Sequence, residues 1–123
     1  ARVMGEGGRI LFTGSVLGER PRKGLSAYGA SKAGLVGMAK ALAVDLAADG
    51  ITVNVVSLGW FDSPLVEGWK AKPHLEQAIL DHTVQRRWGD PSELAGAFLF
   101  LASDASSFMT GASITVDGGY LLV

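Results

Sequence analysis

The stretch RILFTG at residues 9–14 is a short, apolar, partly β-branched run bounded by glycines, and it predicts a buried β-strand. A second run of the same kind, ITVNVVS, occupies residues 51–57. Between them, from about residue 26 to 48, apolar residues recur at the spacing of a helix, and Gly50 follows as its stop; they are Leu35, Met38, Ala39, Leu42 and Leu46. A strand, a helix and a strand in this order predict a parallel crossover.

The remainder of the chain repeats this alternation. Asp90 and Pro91 are typical of the start of a helix, Glu93 completes a capping box, and the apolar spacing that follows ends near Ser103. The run ASITV at residues 112–116 predicts a third strand, closed by an Asp-Gly-Gly turn. The predicted order is therefore βαβαβ, an α/β fold.

Residues 60–88 contain no predicted strand and only one short amphipathic piece, from Pro73 to about Thr83. A connection of this length in a compact fold is typical of a functional lid. The sequence shows no internal repeat, linker or low-complexity run. We therefore treat residues 1–123 as a single unit with a lid over residues 60–88.

Composition excludes several classes of function. The chain has 48% hydrophobic residues, 11 Lys and Arg against 12 Asp and Glu, and no cysteine. A net charge of -1 without a basic stripe argues against nucleic acid, and two separated histidines make a poor metal site. No apolar run is long enough to span a bilayer. The absence of cysteine suits a reducing compartment, and the cytoplasm is the expected location.

Tyr28 and Lys32 lie four residues apart at the start of the predicted long helix, so their side chains should share one face. A neighbouring ammonium favours the phenolate form of tyrosine, which makes a usable general acid or base. Ser15 follows the first strand, at the carboxyl edge where parallel α/β sheets bind ligands. In the alternative interpretation, Tyr28 and Lys32 have no catalytic role and their side chains only pack against each other. Asn54 is interpreted as a structural hydrogen-bonding residue of a strand.

The context of these residues resembles the short-chain dehydrogenase/reductase family. Tyr28 and Lys32 stand within YGASK, with Ser15 thirteen residues before Tyr28. Further blocks resemble the family in the same order: GRI at 8–10, ITVN at 51–54, RWGDPSE at 87–93, FLASD at 100–104, TG at 110–111 and VDGG at 116–119. The resemblance extends over nearly the whole chain. It implies the C-terminal half of a Rossmann-type doubly wound parallel sheet.

The resemblance also implies a chemistry. Tyr28 would be the proton donor or acceptor, Lys32 would tune Tyr28 and bind the ribose of NAD or NADP, and Ser15 would orient the substrate oxygen. The stretch SLGWFDS at 57–63 resembles the loop beside the nicotinamide, with Leu58 where the family usually has proline. Its expected cofactor-binding residues, besides Tyr28 and Lys32, are Gly59, Trp60, Phe61 and Ser63.

Two hypotheses remain open at this stage. The chain begins with Ala1 and a glycine-rich turn at residues 5–8, which favours a start within a longer fold whose first half binds the rest of the dinucleotide. The first hypothesis is thus an oxidoreductase acting on a small alcohol or carbonyl. Blocks similar to gluconate 5-dehydrogenases suggest a sugar acid or polyol. The second is a truncated, non-catalytic relative retained for assembly or binding. In either case the family resemblance implies a homo-oligomer, a dimer or tetramer.

Overall fold

The computed structural model describes residues 3–123 and contains three strands and four α-helices. The strands are β1 (Arg9–Ser15), β2 (Thr52–Leu58) and β3 (Ser113–Val116). The helices are α1 (Ser26–Asp45), α2 (Glu67–Lys70), α3 (Pro73–Asp81) and α4 (Ala95–Ala102). Among the described residues, no helix is both long and apolar enough to cross a bilayer.

The three strands form one parallel sheet in the order β1-β2-β3. The pairing of β1 with β2 runs from Arg9 opposite Thr52 to Ser15 opposite Leu58. The central strand is buried on both faces, which is why its sequence is an almost continuous apolar run. The α/β fold with a parallel sheet is therefore confirmed, with each strand placed within one or two residues of its predicted bounds.

Helix α1 covers one face of the sheet through small side chains. Ala39 and Ala43 are buried against Val53 and Val55, and short side chains let the helix lie close to the strands. Met38, one of the apolar residues at helical spacing, is 43% exposed. The contact face passes through Ala39 and Ala43, and Met38 lies beside it.

Helix α1 ends at Asp45, slightly before the predicted limit near residue 48. The chain tightens there into a 3-10 turn over Ala47–Asp49. Gly50 then takes a left-handed φ of 68°, which a glycine adopts without steric cost. The helical region therefore ends at Gly50 as predicted, and its last part is a 3-10 turn.

Asn54 lies on β2 and is fully buried, yet both ends of its amide are hydrogen-bonded. Its Nδ2 donates to the Met109 carbonyl at 2.9 Å, and its Oδ1 accepts from the Ala112 N–H at 3.0 Å. The side chain therefore ties the segment before β3 to the central strand. This confirms the structural interpretation of Asn54.

Replacing Asn54 with alanine should lower the free energy of unfolding by about 1–3 kcal/mol, because it leaves a partly buried carbonyl and a partly buried N–H unpaired. Urea unfolding measures this change. Ser113→Ala, on an exposed position of β3, is the control. A loss for Asn54→Ala no larger than the control's would contradict this role.

The start of the α4 region has the predicted capping box. Asp90 accepts from the Ser92 N–H at 2.8 Å, and Glu93 accepts from the Asp90 N–H at 2.7 Å. The first turn, Pro91–Leu94, is a 3-10 helix, so the α-helix proper begins later than predicted, at Ala95. Glu93 also receives both terminal nitrogens of Arg87 at 2.7 Å. The Arg87 guanidinium therefore forms part of the cap.

These contacts make the cap sensitive to acid. Hydrogen bonds from Arg87 and from the Asp90 backbone hold the pKa of Glu93 at about 2, below its ordinary 4.5. A lowered pKa in the folded state stabilises the fold above pH 4.5, and this contribution is lost as the pH falls toward 2. We expect Glu93→Gln to be less stable than wild type at neutral pH and the difference to shrink over this range.

Thermal unfolding at several pH values measures this difference, with Glu67→Gln as the exposed control. A gap between wild type and Glu93→Gln that stays constant down to pH 2 would contradict the assignment.

The segment at residues 60–88 is more ordered than the sequence indicated. It holds α2, α3 and a 3-10 turn over Pro64–Val66, of which only α3 was predicted. Phe61 and Gly89 form a parallel bridge that closes the base of the segment. A Cβ at Gly89 would lie 2.6 Å from the Phe61 ring, so glycine is required for this approach. The bridge between Phe61 and Gly89 therefore holds the two ends of the lid segment together.

Candidate functional site

Ser15 is the last residue of β1 and lies at the carboxyl end of the sheet. Its side chain is buried, and Oγ accepts a hydrogen bond from the Leu17 N–H at 3.2 Å. This bond caps the 3-10 turn Val16–Gly18 that leads away from the strand. Because a hydroxyl both donates and accepts, the hydrogen on Ser15 Oγ can still be donated to a ligand oxygen.

Tyr28 and Lys32 lie on adjacent turns of α1, as predicted. The Lys32 Nζ is 5.7 Å from the centre of the Tyr28 ring, so the positive charge lies over the aromatic face. The same Nζ donates to the Thr13 carbonyl of β1 at 2.8 Å. Tyr28 itself is 36% exposed. Lys32 thus connects the end of the sheet with the tyrosine.

Two glycines bring this helix close to the turn after Ser15. A Cβ on Gly18 would lie 2.8 Å from the Ala33 nitrogen, and a Cβ on Gly29 would lie 2.9 Å from the Leu17 carbonyl oxygen. A real side chain at either position would push α1 away from the turn. These contacts place Tyr28 beside Ser15.

A cavity of about 170 Å³ opens between these elements. Ser15, Tyr28 and Gly59 line it together with an apolar wall of Val16, Leu17, Leu25, Trp60, Leu65, Val66 and Trp69. We call it the Ser15 cavity. A hydroxyl and a phenol that face a largely apolar space are the arrangement expected of a small-molecule site.

The residues expected at the nicotinamide loop separate into two groups. Gly59 and Trp60 line the Ser15 cavity, whereas Phe61 lines a smaller cavity with Thr83 and Asp117. Ser63 precedes the Pro64–Val66 turn without capping it, and it is not part of either lining. The loop therefore brings two of its four expected residues to the site.

Gly59 and Trp60 also have structural roles. A Cβ on Gly59 would lie 2.5 Å from the Asp117 Cα, so the close approach of two backbones requires glycine there. Trp60 is buried among three aromatic rings, with centroids 5.4 Å from Trp69, 6.1 Å from Trp88 and 6.2 Å from Tyr120. Its indole N–H is buried without a hydrogen-bond partner in the described chain.

The apolar wall of the Ser15 cavity was not predicted from the sequence. Leu25, Leu65 and Val66 carry no reactive group, and they stand in loops and short turns where hydrophobic spacing has no period. The only signal was the presence of two tryptophans, Trp60 and Trp69, within the lid segment. Both rings pack together and line the cavity.

The described residues suit part of a dinucleotide and contain no metal site. Within residues 3–123, no group of three or more His, Cys, Asp or Glu side chains is placed to bind a metal ion. Lys32 uses one of its three N–H donors on Thr13, which leaves two for hydroxyl groups of a sugar. The donor set at this edge of the sheet thus fits the ribose next to a nicotinamide.

Known proteins match the chain over nearly its whole length. A family model described as enoyl-(acyl carrier protein) reductase matches residues 1–121. The cyclic-di-GMP-binding biofilm dispersal mediator protein of Escherichia coli is 44% identical over 121 residues, covering 98% of this chain and 50% of its own length. The 3-oxoacyl-(acyl-carrier-protein) reductase of Rickettsia felis is 40% identical over 116 residues, covering 94% of this chain and 47% of its own.

The solved structures agree. A gluconate 5-dehydrogenase from Burkholderia cenocepacia, crystallised with NADP and tartrate, superposes with a TM-score of 0.92 at 32% identity, covering 95% of this chain and 46% of that chain. The chain spans about half the length of the curated relatives it matches. With its parallel sheet, its Ser15, Tyr28 and Lys32 arrangement and these matches, the chain belongs to the short-chain dehydrogenase/reductase family.

Proposed function

We propose that this chain carries the substrate-facing and nicotinamide-facing part of an NAD(P)-dependent oxidoreductase that interconverts an alcohol and a carbonyl. The observation that supports this most is the Ser15 cavity, which joins the Ser15 hydroxyl and the Tyr28 phenol in one apolar space. Lys32 lies beside the phenol ring, 5.7 Å from its centre. The cavity beside Phe61 and the cavity beside Arg20 both lack this combination of groups.

Tyr28 is the proposed general acid or base. Its Oη would give a proton to the substrate oxygen during reduction and take it back during oxidation. The Lys32 ammonium lies over the same ring. When bound, NAD or NADP supplies or accepts the hydride.

Ser15 is the proposed group that orients the substrate. Its Oγ is held by the Leu17 N–H, so its hydrogen is directed elsewhere and can be donated to the substrate oxygen. Lys32, with two free N–H donors, would hold the ribose of the cofactor. The Ser63 hydroxyl, which caps no turn, is proposed to bond the carboxamide, with Gly59, Trp60 and Phe61 forming the adjoining loop.

The proposed substrate is a small alcohol or carbonyl compound. The structural likeness to a gluconate 5-dehydrogenase supports a sugar acid or polyol, and the likeness to a 3-oxoacyl reductase makes a 3-oxoacyl thioester the second class. We also propose a cytoplasmic homo-oligomer, a dimer or tetramer. The helix stripe of Ala30, Gly34, Gly37 and Ala41 supports this, because it is exposed and would allow close contact between subunits.

Ser15→Ala tests the proposal on the protein expressed from its complete reading frame. Loss of one oriented donor to the substrate oxygen should lower kcat about 10²-fold. Consumption of NADPH or NADH is followed by absorbance with 5-ketogluconate and a 3-oxoacyl thioester. Ser113→Ala is the control. Wild-type turnover that Ser15→Ala leaves unchanged would refute the role of Ser15.

The second candidate is a binding protein without catalysis. It is favoured by one observation, the 44% identity to a protein whose name describes cyclic-di-GMP binding. It would share the fold and cavity but give no oxidation of NAD(P)H with any carbonyl compound. Binding of cyclic-di-GMP without turnover would support this candidate over the enzyme.

A further inference from the structure

A third cavity, of about 200 Å³, shares no residue with the Ser15 cavity. It is lined by Arg20, Pro21, Arg22, His82 and Tyr120. Three parts of the chain meet there: the loop between β1 and α1, the end of α3 and the turn after β3. We call it the arginine cavity.

Aromatic rings hold both guanidinium groups in place. The Arg20 guanidinium lies 5.6 Å from the centre of the Tyr120 ring, and its Nη1 donates to the Tyr120 carbonyl at 3.2 Å. The Arg22 guanidinium lies 5.7 Å from the Trp60 ring and 5.4 Å from the Trp69 ring. Aromatic faces orient a guanidinium without neutralising its charge.

No carboxylate compensates this charge. The ion pairs within residues 3–123 involve Arg9, Lys70, Arg86 and Arg87, and none includes Arg20 or Arg22. Asp81, the acidic neighbour of His82 in sequence, accepts from Arg86 at 2.9 Å. The cavity thus has two positively charged groups and no acidic lining residue.

His82 completes the wall. Its Nδ1 lies 2.9 Å from the Ala78 carbonyl, which fixes the ring of this lining residue. A guanidinium presents a planar fork of N–H donors that matches the oxygens of a carboxylate or a phosphate. The chemistry of the cavity therefore suits a small oxyanion.

We propose that the arginine cavity is a binding site for a carboxylate or phosphate group, with Arg20 and Arg22 as its donors. The anion is either free in solution or the acidic group of a larger molecule. Arg22 contacts Trp60 and Trp69, two walls of the Ser15 cavity, so binding should be detected at those indoles. The proposal does not depend on the enzymatic function.

The test is a titration of inorganic phosphate into ¹⁵N-labelled protein expressed from its complete reading frame, at constant ionic strength. The indole N–H signals of Trp60 and Trp69 should shift and saturate. The double variant Arg20→Gln with Arg22→Gln should weaken binding about tenfold or more, because it removes two charged donors. Lys23→Gln, which removes one positive charge from an exposed neighbouring position, should bind as wild type does.

The conservative variant Arg22→Lys keeps the charge and should retain part of the affinity, which guards against a double variant that does not fold. Shifts that never saturate in wild type would overturn the proposal. A Lys23→Gln variant that loses as much affinity as the double variant would also overturn it, since net charge alone would then explain binding.

Two further probes identify the source of the anion. Phosphoserine that saturates the same signals and competes with phosphate, where serine does not, would assign the site to the acidic group of a larger molecule. Phosphate that binds without competition from phosphoserine would assign it to a free anion. Both results support the site, and both are readable whether or not the protein turns over a carbonyl substrate.

Discussion

Tyr28→Phe is expected to lower kcat by about 10²–10⁴-fold, the range over which a positioned proton donor contributes to catalysis. The change removes only the phenolic oxygen. The ring remains under the Lys32 ammonium, 5.7 Å from Nζ, and the fold around it should persist. Because Tyr28 is 36% exposed, deletion of its hydroxyl leaves no buried gap.

The measurement is steady-state kinetics in both directions, together with fluorescence titration of NADPH. Binding of NADPH should weaken far less than kcat falls, because Lys32 still holds the ribose after the Tyr28 hydroxyl is removed. Ser31→Ala is the matched control. Ser31 lies three residues after Tyr28 in α1, and its hydroxyl donates to the Tyr28 carbonyl at 2.7 Å. A Ser31→Ala variant as impaired as Tyr28→Phe would show that the turn, and not the phenol, is what matters.

Trp60→Ala is expected to lower the free energy of unfolding by about 3–5 kcal/mol, as other large truncations of buried aromatic residues do. Trp60 is 9% exposed, and it contacts Trp69, Trp88 and Tyr120 edge to face. Its removal would also join the Ser15 cavity to the space left behind, since Trp60 is one of the cavity walls.

Urea unfolding monitored by circular dichroism gives this value, provided that the slope with denaturant stays that of wild type. Trp60→Phe is the graded control, because it keeps a ring in the cluster and removes the unpaired indole N–H. Its loss should be clearly smaller than that of Trp60→Ala. Equal losses for the two variants would contradict a packing role for the ring.

Much of the fold is predictable from the sequence because its strands and long helix are marked by local patterns. The runs at β1 and β2 are apolar because a parallel strand is covered on both faces, and the Asp90 to Glu93 cap is a local motif. The predicted proximity of Tyr28 and Lys32 needed only the period of a helix. These features depend on neighbours a few residues away.

The cavities could not be predicted in the same way. Their walls join residues from loops and short turns that are far apart along the chain, such as Leu25 with Val66 in one cavity and Arg22 with His82 in the other. The close approaches at Gly18 and Gly59 depend on which backbone lies opposite, and that partner is set by tertiary packing. The exposure of Met38 was also not predictable, since a helical period does not decide how wide the buried face is.

The most direct test of the central claim is transfer of deuterium from NADPH that carries deuterium at both C4 positions of the nicotinamide, using the protein expressed from its complete reading frame and a carbonyl substrate identified by the NADPH assay. Mass spectrometry of the alcohol product should show deuterium on the former carbonyl carbon with wild type, and Tyr28→Phe should bind NADPH yet form almost none of this product. Turnover of Tyr28→Phe at the wild-type rate, or an unlabelled product from wild type, would contradict the account.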